Sequence, residues 1–148
     1  MKKTSVFLFV MLCCGFLAWS QESVDLQKET AAVKAAALDY IEGWYEGSAE
    51  RMARALHPTL NKVGLRALRP GGKPVLTPIG YSVMVEYAAM GGGTRVPAEK
   101  RDISVKILDI YKNIASVKTV SAEFVDYLAL AKMDGQWKIV NVLWEPAN

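Results

Sequence analysis

Two side chains in this sequence could transfer protons near neutral pH, His57 and Asp126. His57 is the only imidazole, and an imidazole titrates in the physiological range, so it is a candidate general base or acid. It lies directly before Pro58, where a helix is expected to end, and a histidine there can instead satisfy the last helical carbonyl groups. Asp126 lies in a stretch rich in leucine, and a carboxylate in apolar surroundings needs a partner. That partner could be purely structural, or Asp126 could act as an acid or base in a pocket.

The sequence has few side chains that could support metal binding or covalent catalysis. Its two cysteines, Cys13 and Cys14, lie in an N-terminal segment expected to be removed, which leaves no thiol nucleophile, disulfide or cysteine-based zinc site. A single histidine excludes a multi-histidine metal centre within one chain. We therefore expect no metal and no cofactor. Without Lys2 and Lys3 the formal charge falls from +3 to +1, which gives no basic surface for nucleic acid.

A hairpin near the end of the chain is expected to position Asp126. Asp134-Gly135 separates two apolar runs and is a strong signal for a two-residue turn. Counting outward from this turn gives the expected cross-strand pairs: Met133 with Gln136, Leu130 with Ile139, Leu128 with Asn141, Asp126 with Leu143, and Val125 with Trp144. Alternation then places Asp126 and Asn141 on one face, diagonal to each other and close enough to share a ligand. The opposite face is expected to carry Tyr127, Ala129, Val140, Val142 and Trp144.

Tyr40 is a candidate hydrogen-bond donor. It lies on the apolar stripe of a long amphipathic helix predicted over 24–46, although a core tyrosine with a satisfied hydroxyl is the alternative. The stripe recurs at helical spacing: Val33, Ala37, Tyr40, Ile41 and Trp44. Trp44, and Tyr87 on a helix predicted over 81–90, could stack on a flat ligand or belong to the core. A loose basic stretch could receive an anionic ligand or form a solvated strand face: Lys62, Arg66, Arg69 and Lys73.

The first twenty residues have the layout of a secretory signal peptide. Two lysines at the start precede an apolar run over 6–17, and small residues, Ala18 and Ser20, flank Trp19. We expect cleavage after Ser20, export to the periplasm or the medium, and no stable membrane insertion after processing. The apolar run is shorter than the roughly 20 residues of a spanning helix, although a retained anchor stays open. Residues 21–148 are then expected to form a single domain.

The order of predicted elements indicates an α+β fold. A long helix is followed by a shorter helix over 48–56, by broken extended pieces between 59 and 80, and by the helix over 81–90. The remainder is almost wholly β, with four predicted strands over 102–111, 115–123, 124–132 and 137–144. This order favours helices gathered on one side of a curved antiparallel sheet.

Several short motifs resemble one family within the nuclear transport factor 2-like (SnoaL-like) superfamily, the putative lumazine-binding family. They comprise 40–45 with Gly47, 56–58 with Lys62, 108–111 with 115–117, and most specifically 126–130 with 134–144. The likeness spans nearly all of 28–144. It implies a cone-shaped fold in which a curved sheet wraps around three N-terminal helices, a dimer, and a pocket at the open end of the cone. The family's name implies a pteridine-like ligand.

Within the same superfamily, enzymes similar to ketosteroid isomerase place a catalytic tyrosine at a point like that of Tyr40. The resemblance implies a carboxylate base about two dozen residues further on, and this chain has Val63-Gly64-Leu65 there. A binding function is therefore favoured over isomerase chemistry.

Three functions are consistent with these features. The first is an exported, dimeric module that binds a small organic molecule, with candidate ligand-binding residues Tyr40, Trp44, His57, Tyr87, Asp126 and Asn141. The second is a cofactor-free acid–base enzyme, such as an isomerase, cyclase or dehydratase, using His57 and Asp126 with Tyr40 as donor. The third is a non-catalytic dimeric interaction domain. The dimer is expected to form through the sheet face that holds Tyr127, Val140, Val142 and Trp144.

Overall fold

One six-stranded sheet and three α-helices are the main elements of the part of the chain that the structure describes. The structure is a computed structural model, which describes the backbone of residues 5–147 and the side chains of residues 25–147. The helices are α1 (Ser5–Glu46), α2 (Ala49–Ala55) and α3 (Tyr81–Ala89), with a short 3-10 helix at Ala98–Lys100. The strands are β1 (Leu56–Ala67), β2 (Pro74–Ile79), β3 (Ser104–Tyr111), β4 (Ile114–Val120), β5 (Phe124–Met133) and β6 (Gln136–Pro146).

The chain divides into two units, residues 1–31 and 32–148. Where it is described, the first unit is the N-terminal part of α1, and the second holds the rest of α1 and all the other elements. The predicted signal peptide, residues 1–20, lies outside the residues whose side chains are described, so its cleavage stays a prediction. In the described part of the chain, no helix is both long and apolar enough to cross a membrane.

The helices of the second unit form as their sequences predict. Val33, Ala37, Tyr40 and Ile41 of the predicted stripe are all buried. Gly47 ends α1 with a φ of +67°, in the left-handed region that favours glycine. Ser48 Oγ then accepts the backbone N–H of Arg51 at 3.2 Å, which satisfies a free donor at the start of α2.

The strand order in the sheet is β2-β1-β6-β5-β4-β3. Four of the five pairings are antiparallel, and the fifth, between β1 and β6, is parallel. A parallel pair needs a long connection, and here everything between β1 and β6 supplies it. The α+β class and the curved sheet with three helices are confirmed. One core joins the buried helix residues with the inner face of the sheet, including Tyr40, Met52, Met84, Leu128 and Ile139.

The β5–β6 hairpin keeps the predicted register only near its turn. Met133 pairs with Gln136 and Leu130 with Ile139, as expected. An irregularity between Ala129 and Leu130 then shifts the pairing by one residue. The observed pairs beyond it are Ala129 with Asn141, Leu128 with Val142, Tyr127 with Leu143, Asp126 with Trp144, and Val125 with Glu145. The prediction beyond the turn is wrong because counting assumes an unbroken ladder.

The shift exchanges the two faces of residues 141–144. Val142 and Trp144, predicted on the face away from Asp126, are buried on the same face as that residue. Asn141 and Leu143, predicted beside Asp126, are instead exposed on the opposite face. A one-residue slip has this effect because side chains alternate between the faces of a strand. The predicted placement of Asp126 and Asn141 on one face is therefore wrong.

Candidate functional site

A cavity of about 190 Å³ lies between the helices and the inner face of the sheet. Its walls come from α1, α3, β1, β2, β5 and β6, so elements from both ends of the second unit are needed to enclose it. Most of its lining is apolar or aromatic: Tyr40, Ile41, Trp44, Ile79, Met84, Tyr87, Phe124 and Trp144. Three charged residues complete it, Lys62, Arg66 and Asp126. Apolar walls with a few polar groups are typical of small-molecule sites.

A buried polar cluster of Tyr40, Lys62 and Asp126 lies in the cavity wall. The Tyr40 hydroxyl donates to Asp126 Oδ1 at 2.9 Å. Lys62 Nζ donates to the same carboxylate oxygen at 2.9 Å and to the Tyr40 hydroxyl oxygen at 2.6 Å. Thr119 Oγ1 lies 3.4 Å from Asp126 Oδ2 and donates to it. The expectation that a carboxylate among leucines needs a partner is thus confirmed, and the partners are a cation and two hydroxyl groups.

Burial and mutual charge set the protonation of this cluster. Burial lowers the pKa of the Lys62 ammonium group from its usual value, while the Asp126 carboxylate acts in the opposite direction and only partly offsets the effect. Burial, with the nearby negative charge of Asp126, raises the pKa of Tyr40 well above its usual value. Tyr40 is therefore a stable hydrogen-bond donor, and Lys62 is the residue of the cluster that releases its proton more easily than usual.

Trp144 lies between two cations on β1. The Lys62 ammonium is 4.8 Å from the centre of the Trp144 ring system, and the Arg66 guanidinium carbon is 5.9 Å from it. Gly64 lies between these two residues in the sequence and pairs with Trp144. A Cβ atom at Gly64 would lie only 2.5 Å from the indole, so glycine is what admits the ring there. Trp144 Nε1 is buried and has no hydrogen-bond partner among the described residues.

Two further aromatic rings extend this wall. Phe124 packs edge-to-face on Trp144, with 5.2 Å between ring centres, and on Trp44 at 5.9 Å. The Trp44 indole N–H donates to Glu123 Oε2 at 3.4 Å. The backbone N–H of Gly93 donates to the carbonyl of Trp44, which ties the loop after α3 to the end of α1. These contacts hold Trp44 at the cavity wall.

Of the six ligand-binding candidates predicted from the sequence, four line the cavity: Tyr40, Trp44, Tyr87 and Asp126. His57 does not line it. The residue lies in β1 instead of at a helix end, because α2 ends at Ala55. Its Nδ1 accepts the backbone N–H of Thr59 at 3.2 Å. Asn141 does not line the cavity either, because the irregularity in the hairpin places it on the opposite face.

The sequence alone left the role of Lys62 open, with a solvated strand face as one alternative. The structure buries it, with only 5% of its surface exposed. A signal for this is present, since Leu60, Lys62 and Gly64 alternate on one face of β1 and Leu60 is a core residue. A lysine in phase with a buried leucine is a candidate for burial beside a carboxylate.

Metal ligands are sparse in the described part of the chain. No group of three or more histidine, cysteine, aspartate or glutamate side chains among those residues could hold a metal ion. The cavity contributes a single carboxylate, Asp126, and each of its oxygens already accepts at least one of the hydrogen bonds above.

Comparison with known proteins agrees with this fold. Residues 28–145 match a family described as putative lumazine-binding. No curated protein matches the chain. A nuclear transport factor 2-like protein of unknown function from Silicibacter pomeroyi has a TM-score of 0.62 at 16% identity, covering 82% of this chain and 98% of its own. A second, from Shewanella baltica, has a TM-score of 0.59 at 19% identity, covering 82% and 95%. A third, with a cystatin-like fold, from Novosphingobium aromaticivorans, has a TM-score of 0.61 at 9% identity, covering 86% and 88%.

Proposed function

Because this chain belongs to the putative lumazine-binding family of the nuclear transport factor 2-like superfamily, we propose that it binds a small organic molecule in the cavity between its helices and its sheet. The observation that carries the proposal is the Tyr40–Lys62–Asp126 cluster in an otherwise apolar cavity wall. Such a cluster gives one end of the cavity polarity and leaves the rest to aromatic and aliphatic contacts.

Stability alone accounts poorly for the buried Lys62–Asp126 ion pair. Desolvating a lysine and an aspartate costs several kcal/mol for each ion, and the gain from pairing offsets this only in part. Apolar residues of similar volume would often stabilise the fold as well or better. A buried pair in a cavity wall is therefore poorly explained by stability alone, and a role toward a ligand accounts for it.

The cavity limits the size of the ligand. Its volume of about 190 Å³ lies below the roughly 300–1,000 Å³ of pockets for drug-sized molecules. A molecule of one or two rings fits this space, and a pteridine-like ring system is of that size. The aromatic walls, Trp44, Phe124 and Trp144, suit a flat body.

Acid–base catalysis in the same cavity is a second candidate, favoured by the lowered pKa of Lys62. Because His57 does not line the cavity, Lys62 takes its place beside Tyr40 and Asp126 as the group that transfers a proton. A bound molecule that exchanges a carbon-bound proton for deuterium in D2O, and stops doing so in Lys62→Met, distinguishes this function from simple binding.

The assembly and the location of the protein belong to the same proposal. The outer face of the sheet carries Tyr127 and Leu143 side by side, about half exposed, and we propose that two copies meet there. Val142 and Trp144 are buried on the inner face and take no part, while Val140 is half-buried. The layout of residues 1–20 supports export to the periplasm or the medium.

Native mass spectrometry of the protein as its host exports it, purified without denaturant, tests the binding function. We expect a reproducible extra mass on the folded chain. Ile79→Phe partly fills the cavity and should remove this mass, while Ile114→Phe, at an exposed position outside the cavity lining, should keep it. A folded wild-type protein that carries no extra mass would contradict the proposal.

A further inference from the structure

Most acceptor positions of the cavity cluster are occupied by the protein itself. Asp126 Oδ1 accepts from Tyr40 and Lys62, and Asp126 Oδ2 accepts from Thr119. The Tyr40 hydroxyl oxygen accepts from Lys62 and donates its own proton to Asp126. Three of the roughly four lone-pair positions of the Asp126 carboxylate are thus used, so a ligand that brings only donors finds little acceptor capacity in this cluster.

The hydrogen-bonding groups of the cavity lining that remain free are mostly donors. An ammonium group has three protons, and the Lys62 ammonium uses two of them within the cluster. Trp144 Nε1 has no partner among the described residues and is buried, which costs about 1–3 kcal/mol if nothing accepts its proton. The Arg66 guanidinium has five N–H donors, and in the described part of the chain no side chain or carbonyl accepts from it.

The charged residues of the cavity lining also leave one cation without a partner. Lys62 and Arg66 are cations and Asp126 is the single carboxylate, so one positive charge in the wall has no counter-charge. Lys62 is already paired with Asp126, which leaves Arg66. Lys62 and Arg66 lie on the same face of β1, about 13 Å apart along the strand at roughly 3.3 Å per residue. Lys62 is buried and Arg66 is exposed, so Arg66 lies at the mouth and Lys62 inside.

We propose that the ligand is an organic anion with a flat apolar body, and that its carboxylate binds the Arg66 guanidinium at the mouth of the cavity. A guanidinium and a carboxylate match in a two-point hydrogen-bonded pair, which an ammonium cannot form. The apolar body then lies inward against Trp144 and Phe124, and any acceptor on it reaches the spare proton of Lys62. This inference rests on the proposed binding function and names the chemical class of its ligand.

Two probes of the same shape test the inference, 2-naphthoate and its neutral amide 2-naphthamide. Both present the same two-ring body, and only the first carries a negative charge. We expect isothermal titration calorimetry of the full-length protein at pH 7 and low salt to show naphthoate binding at least tenfold more tightly than naphthamide. In Arg66→Gln this preference should disappear, with naphthamide affinity changed less than threefold. Arg69→Gln removes an exposed arginine that does not line the cavity and should keep the preference.

Salt supplies an independent readout. Raising NaCl from 50 to 500 mM should weaken naphthoate binding to the wild type and leave naphthamide binding nearly unchanged, because screening acts on the charged pair. The inference is overturned if the amide binds as tightly as the acid, or if Arg66→Gln weakens both probes equally.

The outcome in which neither probe binds separates the two proposals. A retained extra mass with the formula of a molecule that has no acidic group overturns the anion and leaves the binding function intact. No probe binding and no extra mass overturns the binding function itself.

Discussion

Lys62 and Asp126 form a buried ion pair that apolar residues of similar volume could replace together without loss of stability. The Lys62 ammonium lies 2.9 Å from Asp126 and 2.6 Å from the Tyr40 oxygen, and each of these groups would be left poorly satisfied without it. Removing one member of a buried pair is far more costly than replacing both, because the remaining ion keeps its desolvation cost and loses its partner.

Replacement of Lys62 by methionine should therefore lower the free energy of unfolding by about 3–5 kcal/mol. Urea unfolding of the full-length protein measures the change. Lys73→Met, at an exposed position, should change it by less than about 0.5 kcal/mol. The double variant Lys62→Met with Asp126→Leu should recover part of the loss, since it leaves no unpaired ion. If Lys62→Met costs no more than Lys73→Met, the ion pair is not a determinant of stability.

Tyr40 should make the stability of the protein fall at alkaline pH. Its pKa is raised well above 10 in the folded state, so above pH 10 the unfolded chain releases this proton while the folded protein keeps it. The stabilisation is fully present below pH 10 and is lost progressively above it, by up to about 1.4 kcal/mol per pH unit. In Tyr40→Phe this contribution should be absent, while that of Tyr45, whose pKa burial also raises, should remain.

The free energy of unfolding is measured for the wild type and for Tyr40→Phe between pH 8 and 11. The quantity compared is the difference between the two proteins at each pH. The difference should be constant up to about pH 10 and should shrink above it. Tyr111→Phe, at a tyrosine that is 61% exposed, should show no such change with pH. A flat difference for Tyr40→Phe would show that the tyrosine titrates alike in both states.

At this scale the sequence predicts the chemistry of the site only in part. The need of Asp126 for a partner and the inward position of Tyr40 follow from hydrophobic patterning, because leucines and the helix stripe mark the buried face. The identity of the partner does not follow, since Lys62 lies 64 residues away and only the β1–β6 pairing brings it near. The chemistry of an imidazole makes His57 a candidate, but it does not predict where a strand places the side chain.

Strand β1 and strand β6 together shape the cavity through a glycine and a tryptophan. Gly64 has no side chain, and the Trp144 indole occupies the space where one would be. The ring then separates the buried Lys62 from the exposed Arg66.

Gly64→Ala should displace the indole and impair binding. The added Cβ would lie 2.5 Å from Trp144 Cε2. The backbones of residues 64 and 144 cannot easily move apart, because they are paired in the sheet. We expect a loss of about 1–3 kcal/mol in stability and at least a tenfold weaker affinity for 2-naphthoate, measured by urea unfolding and calorimetry. Gly80→Ala is the matched control, because nothing lies within 4 Å of its added Cβ and its φ is −89°. Unchanged affinity in Gly64→Ala would mean that the indole does not shape the binding site.

Arginines of α2 link it to α1, and Arg51 makes most of these ion pairs, while Arg54 also pairs with Asp39 at 2.7 Å. Arg51 of α2 forms ion pairs with Asp39 at 3.0 Å, with Glu46 at 2.8 Å and with Glu42, all on α1. Arg51 is only 22% exposed, so these pairs are less screened than isolated surface pairs.

Arg51→Met should destabilise the protein by about 1–2 kcal/mol, the sum expected of three partly exposed pairs. Part of this difference from wild type should vanish in 1 M NaCl, because salt already weakens the pairs in the wild type. Arg95→Met, at an exposed arginine, should have no effect at either salt concentration. Urea unfolding at low and high salt measures both, and a loss independent of salt would point to packing of the side chain instead.

At the scale of elements the sequence predicts most of the structure. The end of α1 and the start of α2 follow from Gly47 and Ser48, and the β5–β6 turn follows from Asp134-Gly135. The start of α1 does not, because the helix is predicted from residue 24 and begins at Ser5, and α2 ends at Ala55, one residue before its predicted end. The irregularity between Ala129 and Leu130 has no comparable signal, because one extra residue in a strand leaves the apolar composition unchanged. It nevertheless decides which side chains face the cavity.

The outer face of the sheet exposes apolar side chains that bear on the oligomeric state of the protein. Tyr127 is 49% exposed, and Leu143, its cross-strand partner, is 51% exposed. Leu65 and Leu76 pair on the neighbouring strands and are exposed as well. Contiguous apolar surface of this kind marks interaction sites in soluble proteins.

Leu143→Glu should convert the proposed dimer into a monomer, because it would place a carboxylate from each copy at the interface. Sedimentation velocity at micromolar concentrations measures the change in mass. Leu68→Glu, at a residue that is 68% exposed and lies beyond the end of β1, should leave the dimer intact. A wild-type protein that sediments as a monomer, or a Leu143→Glu variant that stays dimeric, would exclude this face as the interface.

The place of β6 in the sheet sets the timing of folding. The strand that comes last in the sequence lies between β1 and β5, near the middle of the strand order. Until Gln136–Pro146 has left the ribosome, the N-terminal half, with Tyr40 and Lys62, has no strand to join it to the half that holds Asp126. Contacts of such long sequence separation form slowly. Folding of this domain is therefore completed only after β6 has been synthesised, and a nascent chain stopped before residue 136 has two unjoined pieces of sheet and no cavity.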